Sequence, residues 1–134
     1  MNILLDTHIA VWAIVDDPRL SVKARNLLLD PDNTIYFSSV STLEVNNKTK
    51  SKKNNLEFST QEFVENCVMA GFNELPLLSK HFFGESSLKW GGEGEAHKDP
   101  YDRLLLSQAK SENYRFMTHD EMIQHFDEKC IIPV

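Results

Sequence analysis

The sequence predicts an α/β fold, a three-layer α/β/α sandwich around a mostly parallel sheet of four to five strands. Two observations predict it. Short apolar runs without in-out alternation are typical of strands buried on both faces of a sheet, and amphipathic helical patterns fill the intervals between them. The runs lie at residues 3–5, 35–37, 75–77, 116–117 and 131–134. Strand and helix therefore alternate, as in sheets built from right-handed crossovers.

Two of these runs carry a proline. Pro76 lies in the third run and Pro133 in the fifth. Proline has no backbone N–H to donate to a strand ladder, so within sheets it is largely confined to edges. We expect the third and fifth strands to be the two edges of the sheet.

Three helical stripes separate the strands, and we interpret them as core faces. Gly71 stands where a C′ glycine would end the second helix. Asp99 and Pro100 form an N-cap and first-position pair that would start the third. The stripes are Ala24, Leu27 and Leu28; Phe63, Val64, Cys67 and Val68; and Tyr101, Leu104, Leu105 and Ala109.

Length and composition indicate one domain over residues 1–134. The chain has 134 residues, of which 41% are hydrophobic and 25% charged, close to the soluble globular average. A net charge of −6 argues against a general basic coat for nucleic acid or anionic membranes, while leaving room for a local basic patch. Cys67 and Cys130 fit no disulfide framework or CxxC motif. With no apparent membrane span or signal peptide, we expect a cytoplasmic protein.

Acidic residues recur where the predicted strands end and helices begin. Asp6 directly follows the first strand, and Asp120 follows the fourth. Glu44 is expected in the first turn of the helix after the second strand, while Asp99 and Asp102 open the helix before the fourth. In a parallel sheet, strand carboxyl ends and the following helix amino ends meet along one edge. The sequence therefore predicts that these acids converge.

Converging carboxylates need a compensating charge. Two unit charges about 4 Å apart repel by roughly 4 kcal/mol at an effective dielectric of 20. A divalent cation supplies that compensation. A set of oxygen ligands, without His or Cys at zinc spacing, favours Mg²⁺ or Mn²⁺, which also bind substrate phosphates. Phosphoryl chemistry follows from this pattern.

Helix capping is the alternative role for several of these acids. Ser41-x-x-Glu44 and Thr118-x-x-Glu121 both match a capping box. Asp99 would act as an N-cap, and an acid just inside a helix start is stabilised by the helix dipole.

Capping does not account for two of the acids. No cap is needed directly after the first strand at Asp6, and Asp120 lies beside Glu121, which already completes a box. Asp6 and Asp120 therefore carry most of the functional signal.

Four segments of the sequence form a recognisable set: LLDTH at 4–8, SVSTLEV at 39–45, HKDPYDRLL at 97–105 and THD at 118–120. Together they resemble PIN-domain ribonucleases. Their order and spacing are similar to those of the VapC-like toxins of type II toxin–antitoxin pairs, and the resemblance covers residues 3–134.

The resemblance implies a Mg²⁺- or Mn²⁺-dependent endoribonuclease that assembles as a homodimer and is blocked by a cognate antitoxin. Asp6, Glu44, Asp102 and Asp120 match the acidic quartet of the family. Asp99 matches an extra acid of the His-x-Asp-Pro-x-Asp-Arg subgroup, or it only caps the helix.

A hydrolytic mechanism is the hypothesis that follows. Asp6 and Asp102 would ligate the principal metal, while Glu44 and Asp120 would hold a second ion or position the attacking water. Metal-activated water would then attack phosphorus in line with the leaving 3′ oxygen.

Hydroxyl groups beside the acids have two possible roles. Thr7, Ser41 and Thr118 could orient carboxylates or water, although capping is the commoner role of hydroxyls at helix starts.

Basic residues near this edge are candidate RNA contacts. Lys48, Lys50, Lys52 and Lys53 would bind the RNA backbone, or form only a solvated helix end. Arg103 would meet a phosphate or an antitoxin carboxylate.

Other interpretations of the sequence are also possible. The glycine-rich residues 91–95 suggest a flexible loop, and Trp12 suggests a core or dimer-face residue more than a base-stacking one.

A catalytically degenerate PIN module that binds RNA or a protein without cutting is the main alternative function. A receiver domain or an aspartyl-phosphate hydrolase fits less well, because Asp6-Thr7-His8 supplies one acid where those proteins need two.

Overall fold

A computed structural model describes residues 1–51 and 56–134. In this part of the chain, strands alternate with helices. The strands are β1 Asn2–Leu5, β2 Thr34–Ser38, β3 Asn73–Leu75, β4 Arg115–Thr118 and β5 Ile131–Pro133. The helices are α1 Thr7–Val15, α2 Val22–Leu29, α3 Ser39–Thr49, α4 Thr60–Met69, α5 Pro100–Glu112 and α6 Glu121–Gln124, with short 3-10 turns at Ser79–Phe82 and Glu85–Ser87.

The strands form one parallel sheet in the order β3-β2-β1-β4-β5. From β1 the chain builds outward to β2 and β3, and then returns to add β4 and β5 on the other side of β1. The sheet therefore has a topological switch point between β1 and β4. Ligand crevices form at such points, outside the carboxyl ends of the strands.

Helices cover both faces of the sheet, which confirms the predicted three-layer sandwich. Neighbouring strand residues point to opposite faces: Ile3 and Leu5 belong to one core, and Leu4 to the other. Helices α1, α2 and α4 contribute to the first core, and α5 and α6 to the second. The predicted helical stripes thus lie in or against the core, except for Val68 of α4, which is 57% exposed, so the core role predicted for Val68 is wrong.

The two predicted edge strands are at the edges, but the bounds predicted for the third are wrong. Strand β3 spans Asn73–Leu75 rather than residues 75–77, and Pro76 follows it. Because it is an edge strand, β3 exposes Asn73 and Glu74 and buries only Leu75. A search for apolar runs misses a strand of that pattern. Pro133 lies in β5, which pairs with β4 alone.

The predicted helix boundaries around α4 and α5 are confirmed. Gly71 follows the C-cap of α4 with a left-handed φ of 89°. Asp99 is the N-cap of α5 and accepts a hydrogen bond from the Asp102 N–H at 3.0 Å, and Pro100 takes the first helical position. The start of α5, and with it Asp102, is therefore firmly placed.

The glycine-rich segment has a packing reason for its glycines. The Gly91 N–H donates to the His125 carbonyl at 2.9 Å, next to a bridge between Trp90 and Phe126. A Cβ on Gly92 would lie 2.6 Å from the indole ring of Trp90. Packing against His125 and Trp90 thus accounts for the glycines at 91 and 92.

The thiols of Cys67 and Cys130 are both free, and burial raises the pKa of Cys67 to about 12.

Among the helices of residues 1–51 and 56–134, none is long and apolar enough to cross a bilayer.

Candidate active site

Asp6 lies at the switch point of the sheet. Its backbone N–H donates to the Met117 carbonyl at 2.9 Å, which ties the end of β1 to β4. The residue is 2% exposed and occupies the N-cap position of α1, yet its side chain makes no capping bond. Instead, its Oδ2 accepts a 2.7 Å hydrogen bond from the Thr118 hydroxyl. As predicted, capping does not explain this acid.

Asp102 reaches the same edge from the first turn of α5. It is the third residue of the helix, after Asp99 and Pro100. Its Oδ2 lies 2.7 Å from Nε2 of His97, and both side chains are mostly buried. The carboxylate of Asp99 is used in capping α5, so the structural role proposed for Asp99 is observed.

Glu44 lies deeper in α3 than the sequence suggested. The capping box predicted for Ser41 and Glu44 is wrong, because α3 begins at Ser39 with Ser38 as its N-cap. Glu44 is therefore in the second turn, and it is 8% exposed. Its Oε2 lies 3.1 Å from Nζ of Lys48, while its Oε1 is buried without a hydrogen-bond partner.

Asp120 is the N-cap of α6, so the capping box predicted for Thr118 and Glu121 is also wrong. Oδ1 of Asp120 accepts from the Met122 N–H at 2.8 Å. The Thr118 hydroxyl accepts from the Asp120 N–H at 3.0 Å and donates to Asp6. The expectation that capping does not account for Asp120 is therefore wrong, because Asp120 itself takes the N-cap role that the sequence assigned to Thr118.

The acids at this edge repel one another. Burial raises the pKa of Asp6 to about 6, further raised by Glu44 and Asp120 and partly offset by the Thr118 hydrogen bond. Burial also raises the pKa of Asp102 well above its usual range. The His97 hydrogen bond opposes this effect, and the charges of Asp6 and Asp120 add to it. The charges of Glu44 and Asp120 thus act on Asp6, and the charges of Asp6 and Asp120 act on Asp102. The four predicted acids therefore lie in the same region, at the carboxyl end of the sheet.

The donor chemistry of the quartet fits a hard divalent cation. All four side chains offer carboxylate oxygens, the ligands preferred by Mg²⁺ and Mn²⁺. The unpartnered Oε1 of Glu44 is a buried acceptor of the kind that a cation satisfies. As placed, no three His, Cys, Asp or Glu side chains among the described residues are grouped tightly enough to hold a metal ion. The carboxylates instead pair with Thr118, His97 and Lys48, and would have to move together to share one cation.

Comparison with known families identifies the domain. The family model described as PIN domain matches residues 3–129. The chain belongs to the PIN domain family. No curated protein matches the chain significantly.

Solved structures share the PIN fold of this chain. One is VapBC2 from Rickettsia felis bound to a DNA fragment from their promoter, with 24% identity and a TM-score of 0.67, covering 100% of this chain and 98% of that chain. Another is VapBC-1 from nontypeable Haemophilus influenzae, with 17% identity and a TM-score of 0.61, covering 93% and 92%. At these identities the likeness establishes the fold. The nuclease function of this PIN domain is supported by its family membership.

The basic residues of the PIN domain differ in their placement. Lys48 pairs with Glu44, and Lys50 is exposed at the C-cap of α3. Lys52 and Lys53 lie outside the described residues.

Arg103 is occupied by contacts within the protein. Its guanidinium is hydrogen-bonded to the Glu85 carboxylate and, at 3.1 Å, to the His97 carbonyl. Its carbon also lies 5.6 Å from the ring centroid of Phe126. These contacts tie the segment before α5 to the helix, which favours a structural role for Arg103.

The hydroxyl groups of Thr7, Ser41 and Thr118 bond to other side chains near the acids rather than only to helix ends. Thr118 bridges Asp6 and Asp120, as described above. Oγ1 of Thr7 and Oγ of Ser41 are 2.8 Å apart and connect α1 to α3 near Asp6 and Glu44.

Sequence reasoning missed two features of the site. It assigned no positioning role to His97, although this residue is hydrogen-bonded to Asp102; the two are five positions apart, which matches no regular helical spacing. It also gave no role to Arg19, whose guanidinium lies over the Trp12 ring. Arg19 lies in a loop after α1, where no periodic pattern marks it.

Proposed function

We propose that this PIN domain, spanning residues 1–134, is a Mg²⁺- or Mn²⁺-dependent endoribonuclease and the toxin of a toxin–antitoxin pair. The observation that carries the proposal is the mutual electrostatic influence of Asp6, Glu44, Asp102 and Asp120 at the switch point of the sheet. Neighbouring negative charges add to the raised pKa of Asp6 and of Asp102, and carboxylates perturbed in this way at the end of a sheet mark a site built to bind positive charge. Family membership supports the nuclease class.

Asp6 and Asp102 would be the direct metal ligands in this proposal, with Glu44 and Asp120 as supporting acids. A bound Mg²⁺ or Mn²⁺ lowers the pKa of water and neutralises charge on the phosphate. Thr118 and His97 fix the ligating carboxylates through hydrogen bonds of 2.7 Å each. Such outer contacts orient ligands and tune their affinity.

The remaining two acids have roles that follow from their contacts. Glu44 keeps one oxygen free of hydrogen bonds, so it is available to a second ion or to the attacking water. One oxygen of Asp120 is used by the cap of α6, which leaves the other for the site. In the substrate complex, Lys50 and the lysines at 52 and 53 would contact the RNA backbone.

An antitoxin is the partner that the structural neighbours support, since both are VapBC assemblies. In our proposal the cognate antitoxin blocks the carboxylate site, the toxin assembles as a homodimer, and both act in the cytoplasm.

Asp6→Asn and Asp102→Asn test the assignment directly. Each change keeps the side-chain size and removes the charge needed for metal binding, so cleavage of a labelled RNA should fall to background. Wild-type cleavage should disappear in EDTA and return with added Mg²⁺ or Mn²⁺. Asp32→Asn is the matched control and should cut normally, because Asp32 is an exposed aspartate just before the amino end of β2, away from the acids.

Thermal unfolding of each variant establishes that the fold is intact. Undiminished cleavage by folded Asp6→Asn or Asp102→Asn would refute the site assignment. RNA binding without metal-dependent cleavage by the wild type would instead favour a degenerate module.

A further inference from the structure

A cleft adjoins the carboxylate site along the first turns of α1. It consists of two neighbouring cavities, of 360 and 260 Å³, that share His8, Trp12 and Arg19. The larger cavity extends to Lys48, the ion-pair partner of Glu44, and the smaller one extends to Asp120. An RNA strand passing the acids would therefore pass this cleft.

Arg19 forms a flat surface within the cleft. Its guanidinium carbon lies 5.1 Å from the centroid of the Trp12 ring. Trp12 is only 9% exposed, whereas the Arg19 side chain is 69% exposed. The rings of His8 and His119 also lie against this indole, at centroid distances of 5.9 and 5.6 Å. The guanidinium carbon thus lies over the buried indole ring, while most of the Arg19 side chain is open to solvent.

Asp17 holds this guanidinium in place. Nε of Arg19 donates to Oδ1 of Asp17 at 3.1 Å, and Nη2 donates to Oδ2 at 2.7 Å. The loop itself is fixed by Arg25, whose Nη2 donates to the Asp17 carbonyl at 2.9 Å. A flexible arginine is thereby ordered before any ligand binds, which reduces the entropy lost on binding.

The paired carboxylate also decides what kind of ligand fits. Arginine binds phosphate through a fork of two parallel N–H donors, and in Arg19 a fork of this kind is already taken by Asp17. The ion pair lowers the pKa of Asp17 to about 2, so it remains charged at neutral pH and offsets the charge of Arg19. What Arg19 offers is therefore its plane more than its charge.

We propose that Arg19, backed by Trp12, is a platform on which an unpaired nucleobase of RNA stacks beside the carboxylate site. Proteins that bind single-stranded RNA stack splayed bases on aromatic rings and guanidinium planes. This inference rests on the proposed function and extends it, because it assigns a nucleobase contact to residues outside the acidic quartet.

Binding measurements separate the platform from catalysis. We would use the full chain carrying Asp102→Asn, which prevents cutting, and titrate it with a short fluorescein-labelled single-stranded RNA. A strand of the same length and sugar–phosphate backbone but without bases is the comparison ligand. Arg19→Lys keeps the charge and removes the plane. It should weaken RNA binding about tenfold, as expected from loss of one stacked base, and leave binding of the abasic strand unchanged.

Two further variants sharpen the test. Arg115→Lys lies at the amino end of β4, away from the carboxylate site, and should change neither affinity. Asp17→Asn keeps Arg19 but frees its fork, so the abasic strand should bind more tightly. In a Trp90→Phe background Trp12 is the only tryptophan, and its emission should change on addition of RNA but not of the abasic strand.

Two results would overturn the platform. One is RNA binding by Arg19→Lys that equals that of the parent, which would leave the cleft for a protein partner. The other is an equal loss of RNA and abasic binding in Arg19→Ala, which would make Arg19 a phosphate contact. Failure of the nuclease proposal is visible separately, because wild-type cleavage would be absent while the base-dependent loss in Arg19→Lys persists.

Discussion

The hydroxyl of Thr118 donates a 2.7 Å hydrogen bond to Oδ2 of Asp6, joining the ends of β4 and β1 at the switch point of the sheet. Thr118 is fully buried, and the same oxygen accepts from the Asp120 N–H. One side chain therefore sets the position of two of the four acids. Its hydrogen bond also lowers the pKa of Asp6, against the larger effect of burial.

Thr118→Val should weaken metal binding. The change keeps the shape and removes the hydroxyl, so the Asp6 carboxylate loses its orienting donor and its pKa rises further. Loss of such an outer contact typically costs about 10- to 100-fold in metal affinity. Titration of the purified protein with Mn²⁺ measures this loss, and Thr118→Ser, which keeps the hydroxyl, is the control. Equal affinities of Thr118→Val and wild type would show that the contact has no role in the site.

The metal-free protein should lose stability as the pH rises through about 6. The pKa of Asp6 is raised from 3.8 to about 6, so the folded state holds a proton more tightly than the unfolded state. The stabilisation is complete below pH 4 and is lost as the carboxyl ionises. A shift of about two units corresponds to roughly 3 kcal/mol in the free energy of unfolding.

Asp6→Asn isolates this effect, since other groups also titrate. Urea unfolding in EDTA at pH 4 and pH 8 should show the wild type losing about 3 kcal/mol relative to Asp6→Asn at the higher pH. Saturating Mn²⁺ should reverse the difference, because the cation stabilises the ionised carboxylate. A difference between the two proteins that does not vary with pH would contradict the shifted pKa.

The position of Asp6 could be predicted from the sequence because it depends on one local event, the end of a buried strand. The same holds for the edge strands, since the prolines mark backbone that cannot pair on both sides. Asp102 was predictable for a similar reason: Asp99 and Pro100 fix the start of α5, and Asp102 is the third residue of that helix.

The start of α3 could not be predicted in this way. Serines at 38, 39 and 41 can each cap a helix, and the choice depends on where β2 ends. Pairing of Ser38 with Leu75 in the neighbouring strand keeps β2 extended through Ser38, so the helix starts at Ser39 and Glu44 falls in the second turn.

The roles of Thr118 and Arg19 also depend on distant partners. Thr118 looks like a cap in sequence, but pairing of β4 with β1 turns its hydroxyl to Asp6, 112 residues away along the chain. Arg19 stacks on a residue of the preceding helix only because the loop folds back. Neither contact has a local sequence signal.

Gln108→Leu should destabilise the fold without changing the metal site. Gln108 is fully buried; its Oε1 accepts from the Ser38 hydroxyl at 2.6 Å, and its amide donates to the Leu75 and Pro76 carbonyls at 3.3 Å. Leucine leaves these groups unpaired, at a cost of about 3 kcal/mol in unfolding free energy. Urea unfolding measures the loss. Gln61→Leu, on the exposed side of α4, should stay within about 0.5 kcal/mol of wild type.

Gly92→Ala should cost more stability than Gly94→Ala. A Cβ at Gly92 meets the Trp90 ring at 2.6 Å, so the indole must shift from its contact with Phe126. At Gly94 the space is open, and the cost is that of a φ of 70°, about 1 kcal/mol. Urea unfolding followed by tryptophan emission compares the two, and only Gly92→Ala should alter the folded-state spectrum. Equal losses with unchanged spectra would mean that Trp90 does not depend on Gly92.

Lys48→Met should increase the stabilisation that a divalent cation provides. Nζ of Lys48 lies 3.1 Å from the mostly buried Glu44, and it is the counter-charge of that carboxylate in the metal-free protein. Without it, Glu44 repels Asp6 uncompensated, so the melting temperature in EDTA should fall. Added Mn²⁺ should then raise the melting temperature by more than it does in the wild type, since no ammonium group competes for Glu44. Lys110→Met removes the partner of Glu128, an acid outside the quartet, and should leave the response to Mn²⁺ unchanged. An identical response in Lys48→Met and wild type would show that Glu44 lies outside the influence of the bound cation.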